Sequence, residues 1–138
     1  MKFIDLFEIA VKLGFKAIPV KDEYYKIAFK SSNSLNIEIS FPNDTINEES
    51  EDSINIDWGY SIRNDHNIEI HNEWFDYYKG NSKTKIEDMQ NDISEYLNNF
   101  ANSKFSIIEK SVFSIFGIRF LKYKKLVFEK NHNESYTT

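Results

Sequence analysis

The chain has 138 residues, of which 41% are apolar, 16% aromatic and 28% charged, and its net charge is −5. That length suits one domain able to bury about two-thirds of its unfolded surface, and the composition is that of a folded chain rather than a disordered one. The absence of cysteine excludes disulfides, thiolate metal centres and a cysteine nucleophile, and no apolar run approaches the ~20 residues of a membrane-spanning helix.

At the start, Phe3, Leu6, Phe7, Ala10, Val11 and Leu13 recur at helical spacing before Gly14, a C-cap glycine, and predict a helix over 2–13. The same stretch carries acids inside its apolar run and no small-residue cleavage site, so it does not read as a secretory signal, and a cytoplasmic location is expected. Pro19 limits 16–20 to an edge strand or connector. Tyr25, Ile27 and Phe29, then Leu35, Ile37, Ile39 and Phe41, alternate with polar residues around a Ser31–Ser34 turn and predict a hairpin. The run after Pro42, NDTINEESEDS, holds one apolar residue and reads as a mobile loop, either a plain connector or a binding loop.

The organising stretch is 54–74. Ile54, Ile56, Trp58, Tyr60 and Ile62 alternate with polar residues, Arg63 to Asn67 supply turn chemistry, and Ile68, Ile70 and Trp74 resume the alternation. Pairing Ile62 with Ile68 puts Tyr60 opposite Ile70 and Ile56 opposite Trp74 on one apolar face. The other face then sets Ser61 opposite Glu69, Gly59 opposite His71, and Asp57 opposite Glu73, a like-charge pair costing a few tenths to about 1 kcal/mol.

Farther on, Thr84 and Glu87 form a capping box before the stripe Ile86, Met89, Ile93, Tyr96, Leu97 and Phe100, which predicts a helix over 85–100 with a core-facing stripe and an acidic outer face. Residues 105–128 favour two strands by β-branched and aromatic content, with Gly117 as turn or bulge. Arg119, Lys122, Lys124 and Lys125 suit a protected edge strand better than a nucleic-acid patch, because a strand sends them to alternate faces. Residues 131–138 read as a disordered tail after a single domain over 1–130. The expected fold is α+β, an antiparallel sheet of about five to six strands with two helices packed on one face.

Charge is uneven along the chain. Residues 44–76 hold ten acids against Arg63 alone, whereas 104–138 hold seven bases against three acids. An acidic field repels nucleic acid and membrane surfaces and attracts a basic protein. The candidate partner-binding residues are Glu48, Glu49, Glu51, Asp52, Asp57, Glu69, His71 and Glu73, with Trp58, Trp74, Phe75, Tyr77 and Tyr78 as neighbouring exposed aromatics of the kind that anchor interfaces. Glu69, His71 and Glu73 on one strand face, with Asp57 opposite, are also of a type able to hold a divalent ion or move a proton. Against an enzyme stand the lack of any H-E-x-x-H, nucleophile elbow or phosphate-cradling glycine loop, and the flatness of a strand face. No metal and no cofactor is therefore expected. The sequence is read as a protein-binding module, monomer or homodimer, with the general character of the small acidic immunity proteins that neutralise basic bacterial toxins, an analogy of composition rather than of motif. The alternatives are a structural or regulatory subunit that homo-oligomerises, and a metal-dependent enzyme using Glu69, His71 and Glu73.

Overall fold

Alternate apolar residues build five strands whose shared inner face carries the helices. The computed structural model describes residues 1–19, 24–51, 56–113 and 120–129. In chain order the elements are α1 (Phe3–Lys12), β1 (Lys16–Ile18), β2 (Tyr24–Lys30), β3 (Asn36–Pro42), β4 (Ile56–Arg63), β5 (Glu69–Tyr77), α2 (Ser82–Asn102), β6 (Lys104–Phe113) and β7 (Phe120–Glu129). β1 to β5 form one antiparallel sheet in sequence order, and β6 and β7 pair with each other as a separate two-stranded sheet. The α+β architecture is as the sequence predicts, except that the terminal strands leave the main sheet. Asp52, the strand start at Ile54, Gly117 with Arg119, and the tail from 131 lie outside the described residues.

Ile27, Ile37, Ile39, Phe41, Ile56, Trp58, Tyr60 and Ile62 form the inner face of the sheet and are fully buried. α1 covers its β2–β3 side, with the Phe7 and Tyr25 rings 5.0 Å apart and those of Phe3 and Phe41 6.4 Å apart. α2 covers the β4–β5 side of the same face, where Tyr96 meets Trp58 edge-on at 5.1 Å. The β6–β7 hairpin attaches through rings, Phe100 lying 5.2 Å from both Phe105 and Phe128. The outer face of the five-stranded sheet carries neither helix.

α2 begins earlier than its sequence signal suggests. Asn81, not Thr84, is the N-cap, its side chain accepting from the Thr84 amide at 2.9 Å, so the predicted Thr84–Glu87 box lies inside the helix. The start of α1 is capped from a distance, for the Asp44 carboxylate accepts from the Phe3 and Ile4 amides at 2.7 and 3.1 Å. One acid of the acidic stretch thus stabilises a helix. Asp44→Ala is expected to cost about 1 kcal/mol, the usual worth of a cap, in urea unfolding, whereas Asp44→Asn should recover part of it. An unchanged midpoint for Asp44→Ala would show that water serves those amides as well.

Candidate functional site

The hairpin of β4 and β5 forms as expected, but its register differs by three residues from the predicted one. Ile62 pairs with His71, Tyr60 with Glu73, Gly59 with Trp74, Trp58 with Phe75, and Asp57 with Asp76. Two causes add. The turn closes at Asn64 and Ile68, where the Asn64 amide donates to the Ile68 carbonyl at 2.9 Å and the Asn64 side chain accepts from the His66 and Ile68 amides at 3.0 Å. That moves the pairing by two residues and preserves faces. A bulge between Ile62 and Arg63 then moves it by one more, and a one-residue slip sends every side chain to the opposite face.

The consequence is an exchange of aromatics. Trp58 is fully buried and stacks on Phe75 at 4.8 Å, so it is no surface anchor, and Phe75 and Tyr77 are half-buried on the inner face. Trp74 instead stands outside, 56% exposed, with Tyr78 at 70% and Ile68 at 59%. Trp74 lies across Gly59, where any Cβ would overlap indole atoms Cδ2 and Cε3. A glycine directly opposite the indole is what allows the ring to rest on the sheet.

The predicted binding residues divide among three places. Glu48 and Glu49 line a cleft of about 420 Å³ in the helix layer, with Phe3, Asp44, Ile86 and Gln90. Their loop, expected to be mobile, is pinned there: Ser82 Oγ donates to the Ser50 carbonyl at 2.5 Å, and Asn47 and Ser50 close a turn. Glu51 is exposed at the end of this described stretch. Asp57 and Glu69 lie on the outer face, separated along β5 by seven residues, roughly 20 Å at the strand rise. His71 and Glu73 lie on the inner face. The predicted cross-strand pair of Asp57 and Glu73 therefore does not form, nor does a Glu69, His71 and Glu73 row with Asp57 opposite. A like-charge pair does exist, but its members are Asp57 and Asp76.

On the inner side, Glu73 accepts from the Tyr60 hydroxyl, and His71 Nε2 lies 3.6 Å from Glu73 Oε1, beyond hydrogen-bond length. The His71 side chain is only 8% exposed, and Nε2 has no hydrogen-bond partner among the described residues. Nearby, Trp58 Nε1 donates to Tyr77 Oη at 3.0 Å, and that hydroxyl donates to Asp92 at 2.5 Å. Burial, then the Glu73 hydrogen bond, pushes the Tyr60 phenol up; burial and the Asp92 hydrogen bond do the same to Tyr77. Tyr96 is pushed up to about 12 by burial and by the carboxylates of Glu73, Asp92 and Glu95.

These shifts set an alkaline limit. Unfolded tyrosines lose their protons near pH 10 while these three, and Tyr25, which burial and the nearby Asp44 and Glu8 also push up, keep theirs, so above about pH 10 the unfolded state binds fewer protons and stability falls as pH rises. Below pH 10 these groups contribute no pH dependence. A phenolate absorbance titration of the folded protein should show Tyr60, Tyr77 and Tyr96 lagging, with the alkaline loss reduced in Tyr96→Phe. If all eight tyrosines titrate together near pH 10 before unfolding, the packing of these hydroxyls is wrong.

The outer face holds the remaining candidate geometry. Around Trp74 runs an open groove of about 270 Å³, floored by Ser40, Gly59 and Ser61 and walled by Lys26, Glu38, Glu69 and Asn72. Lys26 Nζ meets Glu38 Oε1 at 3.0 Å, and Asn72 Nδ2 donates to Glu69 Oε2 at 3.2 Å. On the other side of Trp74 sits the Asp57–Asp76 pair, where Asp57 accepts from the Tyr24 hydroxyl. Lys16, Lys26 and Lys30 fall on the β1–β2 half of this face, and Asp57, Glu69 and Asp76 on the β4–β5 half together with Arg63 at its hairpin end, so the two halves carry opposite net charge.

No group of three or more His, Asp or Glu side chains suited to a metal ion occurs among the described residues, and no helix among them is long and apolar enough to cross a membrane. No family model, no curated protein and no solved structure matches the chain. Sequence reasoning missed Asp76, Asn72, Lys26 and Glu38. One signal for the first was available: apolar residues sit at Ile68 and Ile70 but then at Phe75 and Tyr77, and that change of phase within one strand marks a bulge.

Proposed function

We propose that the chain is a protein-binding module that takes a basic protein on the β4–β5 half of its outer sheet face, and that it acts as an immunity protein neutralising a basic toxin. The observation that supports this most is Trp74, exposed beside two carboxylates set directly opposite each other. Like charges across a strand pair disfavour the fold, and a large exposed aromatic adds nothing to the core. Both gain a role when a cationic surface docks there, since aromatic anchors and carboxylates are the groups that hold such an interface. The toxin assignment is supported by acidity and size alone. Glu48 and Glu49, in the helix layer, contribute to the long-range field that speeds encounter rather than to the contact.

The charge division of the face favours a second reading, a homodimer in which a two-fold axis sets the acidic half of one copy on the lysine half of the other. Affinity capture from the native host at low and high salt, with sedimentation of the purified protein, separates the two. A basic partner released by salt supports the first reading, and a salt-sensitive dimer with no captured basic protein replaces it with the second.

A further inference from the structure

We infer that the groove beside Trp74 is a seat for one arginine side chain of the bound protein, with the guanidinium stacked on the indole and forked onto Glu69. This rests on the reading of the outer face as the surface that takes a basic partner, and it names the chemistry of the anchor.

Trp74 offers one ring face only, because the other lies on Gly59. A flat cation laid on that free face meets the negative side of the indole quadrupole, and a guanidinium stacks there more closely than an ammonium, being planar and weakly hydrated. The groove holds the carboxylates of Glu38 and Glu69 against the single cation Lys26, a balance of minus one. Lys26 is engaged with Glu38 at 3.0 Å, whereas Glu69 has no ion pair among the described residues. Its cross-strand neighbour Arg63 donates instead through Nη1 to the Asn67 carbonyl at 3.2 Å. Asn72 holds one oxygen of Glu69 at 3.2 Å. A carboxylate so placed at the end of an aromatic wall presents the planar acceptor that the N–H fork of arginine fits. The Ser40 and Ser61 hydroxyls on the floor are able to accept from the remaining N–H groups. Behind the ring, Asp57 and Asp76 add attraction without needing to touch the guanidinium.

The test uses blocked amino acids as probes of the intact protein. N-acetyl-arginine amide, N-acetyl-lysine amide and N-acetyl-citrulline amide are titrated while indole emission and the backbone amide shifts of Gly59, Ser61 and Asn72 are followed. Arginine is expected to bind about five- to tenfold more tightly than lysine, and citrulline, which has lost the charge, not measurably. Glu69→Gln, a surface change that leaves the core untouched, should abolish the preference for arginine, and Trp74→Leu should abolish the binding. Equal binding of arginine and lysine, retention of the arginine response in Glu69→Gln, or a response only to a neutral sugar such as glucose would each overturn the seat. If a basic partner is captured and Trp74→Leu binds it as well as the native protein, the arginine seat fails while the proposed function survives. If no basic partner is captured, the function fails with it.

Discussion

Trp58→Ala is expected to lower the unfolding free energy by about 3–5 kcal/mol, the range for truncating a large buried aromatic. The residue is fully buried, stacks on Phe75 at 4.8 Å and meets Tyr96 at 5.1 Å, so its removal strips both the β5 ring and the α2 ring of their common neighbour. It also takes away the Nε1 donor 3.0 Å from Tyr77 Oη. Domains of this size hold about 5–15 kcal/mol in all, so much of the reserve would be gone. Trp58→Phe keeps a ring in the stack and loses mainly the donor and part of the volume, and should cost less than half as much. Urea unfolding followed by circular dichroism gives both values. A loss under about 1 kcal/mol for Trp58→Ala would mean that this indole is not at the junction of β4, β5 and α2.

The second large effect concerns binding, and here stability and function are expected to move in opposite directions. The double variant Asp57→Asn with Asp76→Asn removes two like charges facing each other across the strands, which should stabilise the fold by a few tenths to about 1 kcal/mol. The hydrogen bond from Tyr24 survives, because an asparagine oxygen still accepts it. Affinity for the basic partner should fall by about 2–5 kcal/mol if the carboxylates become buried against its cations, and the salt dependence should weaken with it. Thermal unfolding and calorimetric titration against the captured partner measure the two quantities. A variant that is less stable, or that binds as tightly as the native protein, contradicts the assignment of this pair to the interface.

Most of the fold was legible because each element carries its own period. The stripe from Ile86 to Phe100 could only be a buried helix face, and the alternations around Ile27, Ile39 and Tyr60 could only be strands facing one core. The candidate site was less legible, because it depended on register, and register on a single bulge. Local alternation grouped Ile68, Ile70 and Trp74 as one apolar face, and nothing within those residues contradicts that grouping. What overrides it is tertiary: Phe75 and Tyr77 have partners in Trp58, Tyr96 and Asp92, whereas Trp74 on the inside would have displaced them. Gly59 was the sign that sequence reading passed over, since a strand glycine marks a place where something lies against the backbone. The loop acids misled for another reason. Proximity along the chain suggested that Glu48 and Glu49 would join Asp57, but the loop turns toward the helix layer, tied by Asp44 to α1 and by Ser50 to α2.

The functional reading stands on Trp74 lying outside the sheet and Trp58 inside it, and the two tryptophans make that measurable in solution. Acrylamide quenching of the native protein and of Trp74→Phe should show one accessible and one protected indole in the former and only the protected one in the latter. If both indoles of the native protein are protected, Trp74 lies on the inner face with Trp58, the alternation register is the true one, and an outer face built around Trp74 does not exist.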